Sequence, residues 1–161
     1  MSKHFFRALA GLACAALATA AAAGPMQPFE PATMQHIVDA QQGKSFVLVL
    51  WSLDCEYCLT SLDVLSKQMR RRKDLNVVTI STDRVNDPET APVMNQRLAR
   101  LGLDKNNWAF GDVAPERLRF TIDRRWHGEM PRSYWFNAKG ERVAYSGVIT
   151  PAVIDKFLAR Q

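Results

Sequence analysis

The stretch SFVLVLWSLDCEYC, residues 45–58, joins an unbroken apolar run to two cysteines spaced three apart. A continuous run such as 45–52, rather than an alternating one, suits a strand buried on both faces of a sheet. Directly after it, residues 55–72 carry Leu59, Leu62, Leu65 and Met69 at helical spacing and close on the basic stretch RRRK. That predicts a helix whose apolar side packs on the sheet. Cys55 therefore lies where a buried strand gives way to a helix. The unsatisfied N–H groups and positive dipole end of that helix favour the thiolate, the nucleophile of disulfide exchange. Cys58, one turn deeper, is placed to attack a mixed disulfide formed at Cys55. Two plainer readings compete. A staple closing so short a loop removes little unfolded-state entropy. A structural zinc site takes four ligands, and the chain has neither a second CxxC nor an HxxxH. The reading adopted is a redox-active dithiol with no metal. Asp54 and Glu56 flank Cys55 with negative charge and oppose thiolate formation.

Outward from this stretch, a helix is predicted over 33–41, capped by Thr33, with Met34, Ile37 and Val38 on one face. NVVTIST, residues 76–82, is a second β-branched strand, so strand, helix and strand form a βαβ unit with parallel strands. A further helix is predicted over 88–101, carrying Val93, Leu98 and Leu101 and stopped by Gly102. NWAFG is a short strand, and PERLRFTI a helix that opens on Pro115. SYWFN and ERVAYSG around AKG read as a hairpin. The last helix, over 150–160, has Thr150 as cap and Pro151 at its first position. The fold class is α/β: a central mixed β-sheet with helices on both faces.

The chain's 161 residues suit one domain, and 47% apolar with 23% charged residues suit a soluble globular one. Lys3 and Arg7 precede an alanine-rich apolar run over 8–23. This is the layout of a signal peptide, cleaved near Ala22 or Ala23, with a retained anchor as the alternative. Cys14 leaves with it. Residues 24–32 are an extended lead-in, and 33–161 the domain. Without residues 1–23 the 21 basic residues become 19 against 16 acidic ones, so the net charge falls from +5 to +3. That is mildly basic and no footprint for nucleic acid. An exported chain with Cys55 and Cys58 alone meets an oxidising compartment, the periplasm in this reading.

Trp51, CEYC and EMPRSYWFNAKGERVAYSG together resemble the thioredoxin superfamily, and most closely its exported bacterial TlpA/ResA-type thiol–disulfide oxidoreductases, over residues 33–160. The resemblance implies a thioredoxin-like fold with an extra helix and strand in 83–111. It makes Cys55 the attacking and Cys58 the resolving thiol. It makes Pro131 a cis-proline facing the dithiol, which opens the Met130 backbone to an extended client segment and keeps metal from the thiols. Trp51 would pack beneath the active-site loop. Asp54 stands where the family usually has Trp, Tyr57 where it often has Pro or His, and Val49 where thioredoxins bury an acid. His127 and Glu129, just before Pro131, are read either as proton shuttles or client contacts, or as solvated loop residues. Arg132 is read either as favouring acidic clients or as an exposed arginine.

The implied activity is reduction or isomerisation of disulfides in exported cysteine-containing client proteins, apocytochromes c or copper-site cysteines among them. No cofactor is implied beyond the Cys55–Cys58 disulfide. Electrons would come from a membrane donor of the DsbD/CcdA type. Two other functions stay open: a disulfide-forming oxidant, and a Cu(I)-binding chaperone using Cys55 and Cys58 with Met130 or His127. With no histidine between the cysteines, the reducing or isomerising side is favoured.

Overall fold

A computed structural model describes residues 25–160. The leader assigned to 1–23, with Cys14, lies outside the described residues. Eleven elements follow in order: β1 (Gln27–Phe29), α1 (Thr33–Ala40), β2 (Phe46–Trp51), α2 (Glu56–Met69), β3 (Val77–Arg84), α3 (Thr90–Leu101), β4 (Asn107–Phe110), α4 (Pro115–Ile122), β5 (Arg132–Phe136), β6 (Arg142–Ser146) and α5 (Pro151–Leu158). They build one six-stranded sheet in the order β1-β4-β3-β2-β5-β6. The first four strands of that order run parallel, while β2–β5 and β5–β6 are antiparallel.

β2 sits inside the sheet, and all six of its residues are buried. Period-2 alternation sends its side chains to opposite faces. Val47, Val49 and Trp51 join Leu62 and Leu65 of α2, Met94 and Leu98 of α3, and Ile154 and Phe157 of α5 in one core. Phe46, Leu48 and Leu50 join Ile37 of α1 and Leu118 and Ile122 of α4 in the other. The helices thus cover both faces, as the sequence predicts.

The structure departs from the expected elements in three places. The lead-in is extended, yet it is also a strand: β1 pairs in parallel with β4, and Phe29 is completely buried. Helix α1 starts after Ala32 without a side-chain cap. Thr33 Oγ1 instead accepts the Glu30 N–H at 2.9 Å and fixes the turn ahead of the helix. In α3 the buried stripe runs through Met94 and Leu98, with Ala91 and Leu101 half-buried beside them, and Val93 is 49% exposed. Positions 91, 94, 98 and 101 keep a helical period and Val93 falls outside it.

Candidate active site

Parallel β2 and β3 pair as far as Trp51 and Ser81, and the dithiol follows the carboxyl end of β2, where open α/β sheets place their sites. Cys55 has extended backbone and caps α2, its Sγ accepting the Cys58 N–H at 3.2 Å. Cys55 and Cys58 are disulfide-bonded, with their Cα atoms 5.1 Å apart. Cys58 is fully buried while Cys55 is half-buried, so only the first sulfur is open to an incoming group.

The loop carrying Cys55 is held from the neighbouring strand. Leu53 N–H donates to Asp83 Oδ2 at 2.8 Å, and Ser81 Oγ donates to the same oxygen at 2.9 Å. The Cys55 N–H closes the turn on Ser52 O at 3.3 Å. Below it, Trp51 is completely buried in the cluster that holds Cys58 and Leu62. Deeper in α2, Ser61 Oγ donates to Tyr57 O at 2.9 Å and accepts the Ile149 N–H at 3.0 Å. That joins the first turns of α2 to the segment leading into α5. Asp83 and Ser61 were not singled out from the sequence. For Asp83 the signal was present: an acid at the end of a buried parallel strand.

The opposite wall comes from β5. Leu50 pairs with Arg132, so the residue before Arg132 lies alongside Trp51. That residue is Pro131, and the Met130–Pro131 peptide is cis. Pro131 is buried, and its carbonyl accepts the Gly147 N–H at 2.9 Å. Met130, half-buried, packs against the cluster that includes Cys58 and is itself touched by Cys55. The dithiol loop and the loop before Pro131 thus flank one another at the same end of the sheet.

Residues 123–131 are fastened by a buried ion pair. Asp123 Oδ2 accepts from Arg132 Nη2 at 3.1 Å and from the Tyr134 hydroxyl at 3.2 Å. Asp123 Oδ1 accepts the Arg125 N–H at 3.0 Å. Burial pushes the Asp123 carboxyl up, but the Arg125, Tyr134 and Arg132 hydrogen bonds and the Arg142 charge outweigh it and hold it below the usual carboxylate range. Burial, partly offset by Arg132, pushes the Tyr134 phenol up to about 12. The guanidinium groups of Arg132 and Arg142 each stand 5.0 Å from the centre of the Tyr134 ring. Trp126 is buried beneath the loop and donates its indole N–H to Glu129 O at 2.9 Å.

Arg132 belongs to this network rather than to the surface: its side chain is only 12% exposed. Its Nη1 also donates to Glu129 Oε1 at 3.1 Å and to Ser146 Oγ at 2.8 Å. The Glu129 carboxylate is therefore bound by Arg132, by Ser146 and by the His127 backbone N–H. His127, Asp54, Glu56 and Tyr57 are exposed, Tyr57 by 65%. Among the described residues no group of three or more His, Cys, Asp or Glu gathers as a metal site would require. A groove of about 680 Å³, lined by Gln41, Lys73 and Asn76 among others, opens at the far end of β2 from the dithiol.

No protein-family model matches the chain, and no curated protein matches it. Solved structures do. A secreted Mycobacterium tuberculosis disulfide oxidoreductase, homologous to E. coli DsbE, is 18% identical with a TM-score of 0.56, covering 76% of this chain and 86% of its own. A thioredoxin-related protein of Neisseria meningitidis serogroup B is 17% identical with a TM-score of 0.58, covering 73% and 84%. A thiol:disulfide interchange protein of the thioredoxin family from Chlorobium tepidum TLS is 16% identical with a TM-score of 0.54, covering 76% and 82%. The fold is thioredoxin-like: a mixed sheet between two layers of helices, with a CxxC disulfide at the head of α2 and a cis-proline opposite.

Proposed function

We propose that the chain is an exported thiol–disulfide oxidoreductase that reduces or isomerises disulfides of exported client proteins. The observation that carries this is the asymmetric pair, Cys55 open and Cys58 buried behind it, at the N-terminus of a 14-residue helix. In the reduced enzyme the Cys55 thiolate attacks one sulfur of a client disulfide. The client S–S bond breaks, a mixed disulfide forms, and one client thiolate leaves and takes a proton from water. Cys58, once deprotonated, attacks Cys55 Sγ, forming the Cys55–Cys58 disulfide and freeing the second client thiol. Two electrons pass to the client, and a membrane donor of the DsbD/CcdA type restores the dithiol. Trp51 supports the loop from below, and Met130, opened by Pro131, offers its backbone to an extended client segment. His127 and Glu129 are candidates for carrying protons at the mouth of the site. The leader over 1–23 and the use of just two cysteines after it support export to the periplasm.

Single-turnover assays on a peptide disulfide test this reading. Cys55→Ser is expected to abolish reduction, and Cys58→Ser to accumulate a mixed disulfide, visible by mass, at Cys55. Reduction by Cys55→Ser at the wild-type rate would overturn it.

A further inference from the structure

Charge is sorted in opposite senses on the two segments that meet the sheet at its dithiol end. Between residues 117 and 132 the chain carries five arginines against two acids. Both acids, Asp123 and Glu129, bind Arg132. Arg119 is paired with Glu116. The remaining cations are displayed outward. Arg117 and Arg124 are exposed, and the Arg125 side chain is 89% exposed, with only a 3.8 Å approach to Asp123. The Arg124 guanidinium stands 4.9 Å from the ring centre of Phe120, which is itself 55% exposed. A guanidinium above an exposed ring makes a cationic, partly apolar shelf. It leads straight into the loop before Pro131.

The facing lip is the reverse. Residues 52–58 contain no lysine or arginine, and Asp54 and Glu56 are both exposed beside Cys55. β2 and β5 pair up to Leu50–Arg132, so the segments that carry these two sets of charges meet the sheet at the same end.

We infer that the site selects client segments of split charge: acidic residues on one side of the client cysteine, over Arg124, Arg125 and Phe120, and neutral or basic residues on the other, over Asp54 and Glu56. This rests on the oxidoreductase reading and names its substrate class. Like charges set against Asp54 and Glu56 disfavour a uniformly acidic segment, and like charges set against the shelf disfavour a uniformly basic one.

The test uses the reduced protein and four disulfide-linked peptide dimers of equal length. Their flanks are acidic N-terminal to the cysteine, acidic C-terminal to it, basic on both sides, or neutral. The reading is the concentration dependence of the single-turnover rate. One of the two split peptides is expected to half-saturate at about fivefold lower concentration than the neutral dimer, the size two exposed ion pairs provide. The advantage should fade as salt is raised. Arg124→Glu with Arg125→Glu should reverse the preference, and Arg124→Gln with Arg125→Gln should erase it. Equal half-saturation by all four peptides, with turnover intact, would overturn the inference alone. Absence of turnover with every peptide would overturn the oxidoreductase reading and the inference with it.

Discussion

Two carboxylates shape the site without touching a sulfur. Asp83 receives the Leu53 N–H and the Ser81 hydroxyl, so it sets the path of the loop into Cys55. Asp83→Ala leaves that N–H without its partner, which costs about 1–3 kcal/mol when the group stays dry. Urea unfolding should show that loss, and the single-turnover rate of peptide reduction should fall with it. Asp123 acts on the other wall. Its carboxyl is held below the usual range in the folded protein, so the unfolded state binds its proton at higher pH. The stability it adds is therefore complete above the unfolded carboxyl pKa of about 3.9, and is lost as pH falls through the lower folded value. Asp123→Asn should flatten that acid limb of the stability–pH curve. Asp123→Ala should cost about 3 kcal/mol, because it strands Arg132 and Tyr134. An unchanged acid limb in Asp123→Asn would show that the ion pair does not stabilise the loop.

Helix ends carry the next level of control. Thr150 caps α5, its Oγ1 accepting the Val153 N–H at 3.3 Å, and Pro151 begins the helix. Replacing Thr150 with Ala should cost about 1 kcal/mol. Gly102 ends α3 in the left-handed conformation at φ +68, and a Cβ there would meet nothing within 4 Å. The cost of Gly102→Ala is thus purely conformational, about 1 kcal/mol. Gly102→Asn should recover part of it, since asparagine visits that region more readily. Equal destabilisation by Ala and Asn in urea unfolding would point to a contact rather than to backbone conformation. Helix α2 ties element to function, because Leu62 and Leu65 anchor the same helix whose first turn holds both sulfurs. Leu62→Ala should lower stability by about 3 kcal/mol.

At the scale of the molecule, the strong periodic signals were legible in the sequence and the tertiary partners were not. The all-buried run of β2, the β-branched run of β3 and the hairpin around Ala138, Lys139 and Gly140 announce themselves because their patterns are local. Strand β1 does not. It has only three residues, lies among Pro25, Pro28 and Pro31, and pairs with a strand some 80 residues later. Val93 reads as a core residue in the sequence because one apolar residue next to Met94 shifts the apparent phase of a helix. Cys55, Cys58, Trp51 and Pro131 could be read from spacing and resemblance. The Asp123–Arg132 pair could not, since a buried carboxylate is defined by a partner that only folding brings near, whereas half-buried Asp83 carried the signal of an acid at the end of a buried strand. Arg132 shows the point most sharply: one residue past Pro131 it looks like a surface cation, yet it closes four hydrogen-bonded contacts around the loop.

The central claim, that Cys55 and Cys58 work as a donor of electrons to client disulfides, has a direct test in the reduction potential of the pair. It is measured by equilibrating the protein with a graded dithiothreitol buffer and reading the fraction oxidised. The absence of a cation between the cysteines, with Asp54 and Glu56 exposed beside Cys55, predicts a reducing couple near thioredoxin's value of about −270 mV. A value near about −120 mV, that of the strong oxidant DsbA, would contradict the account and make the protein a former of disulfides.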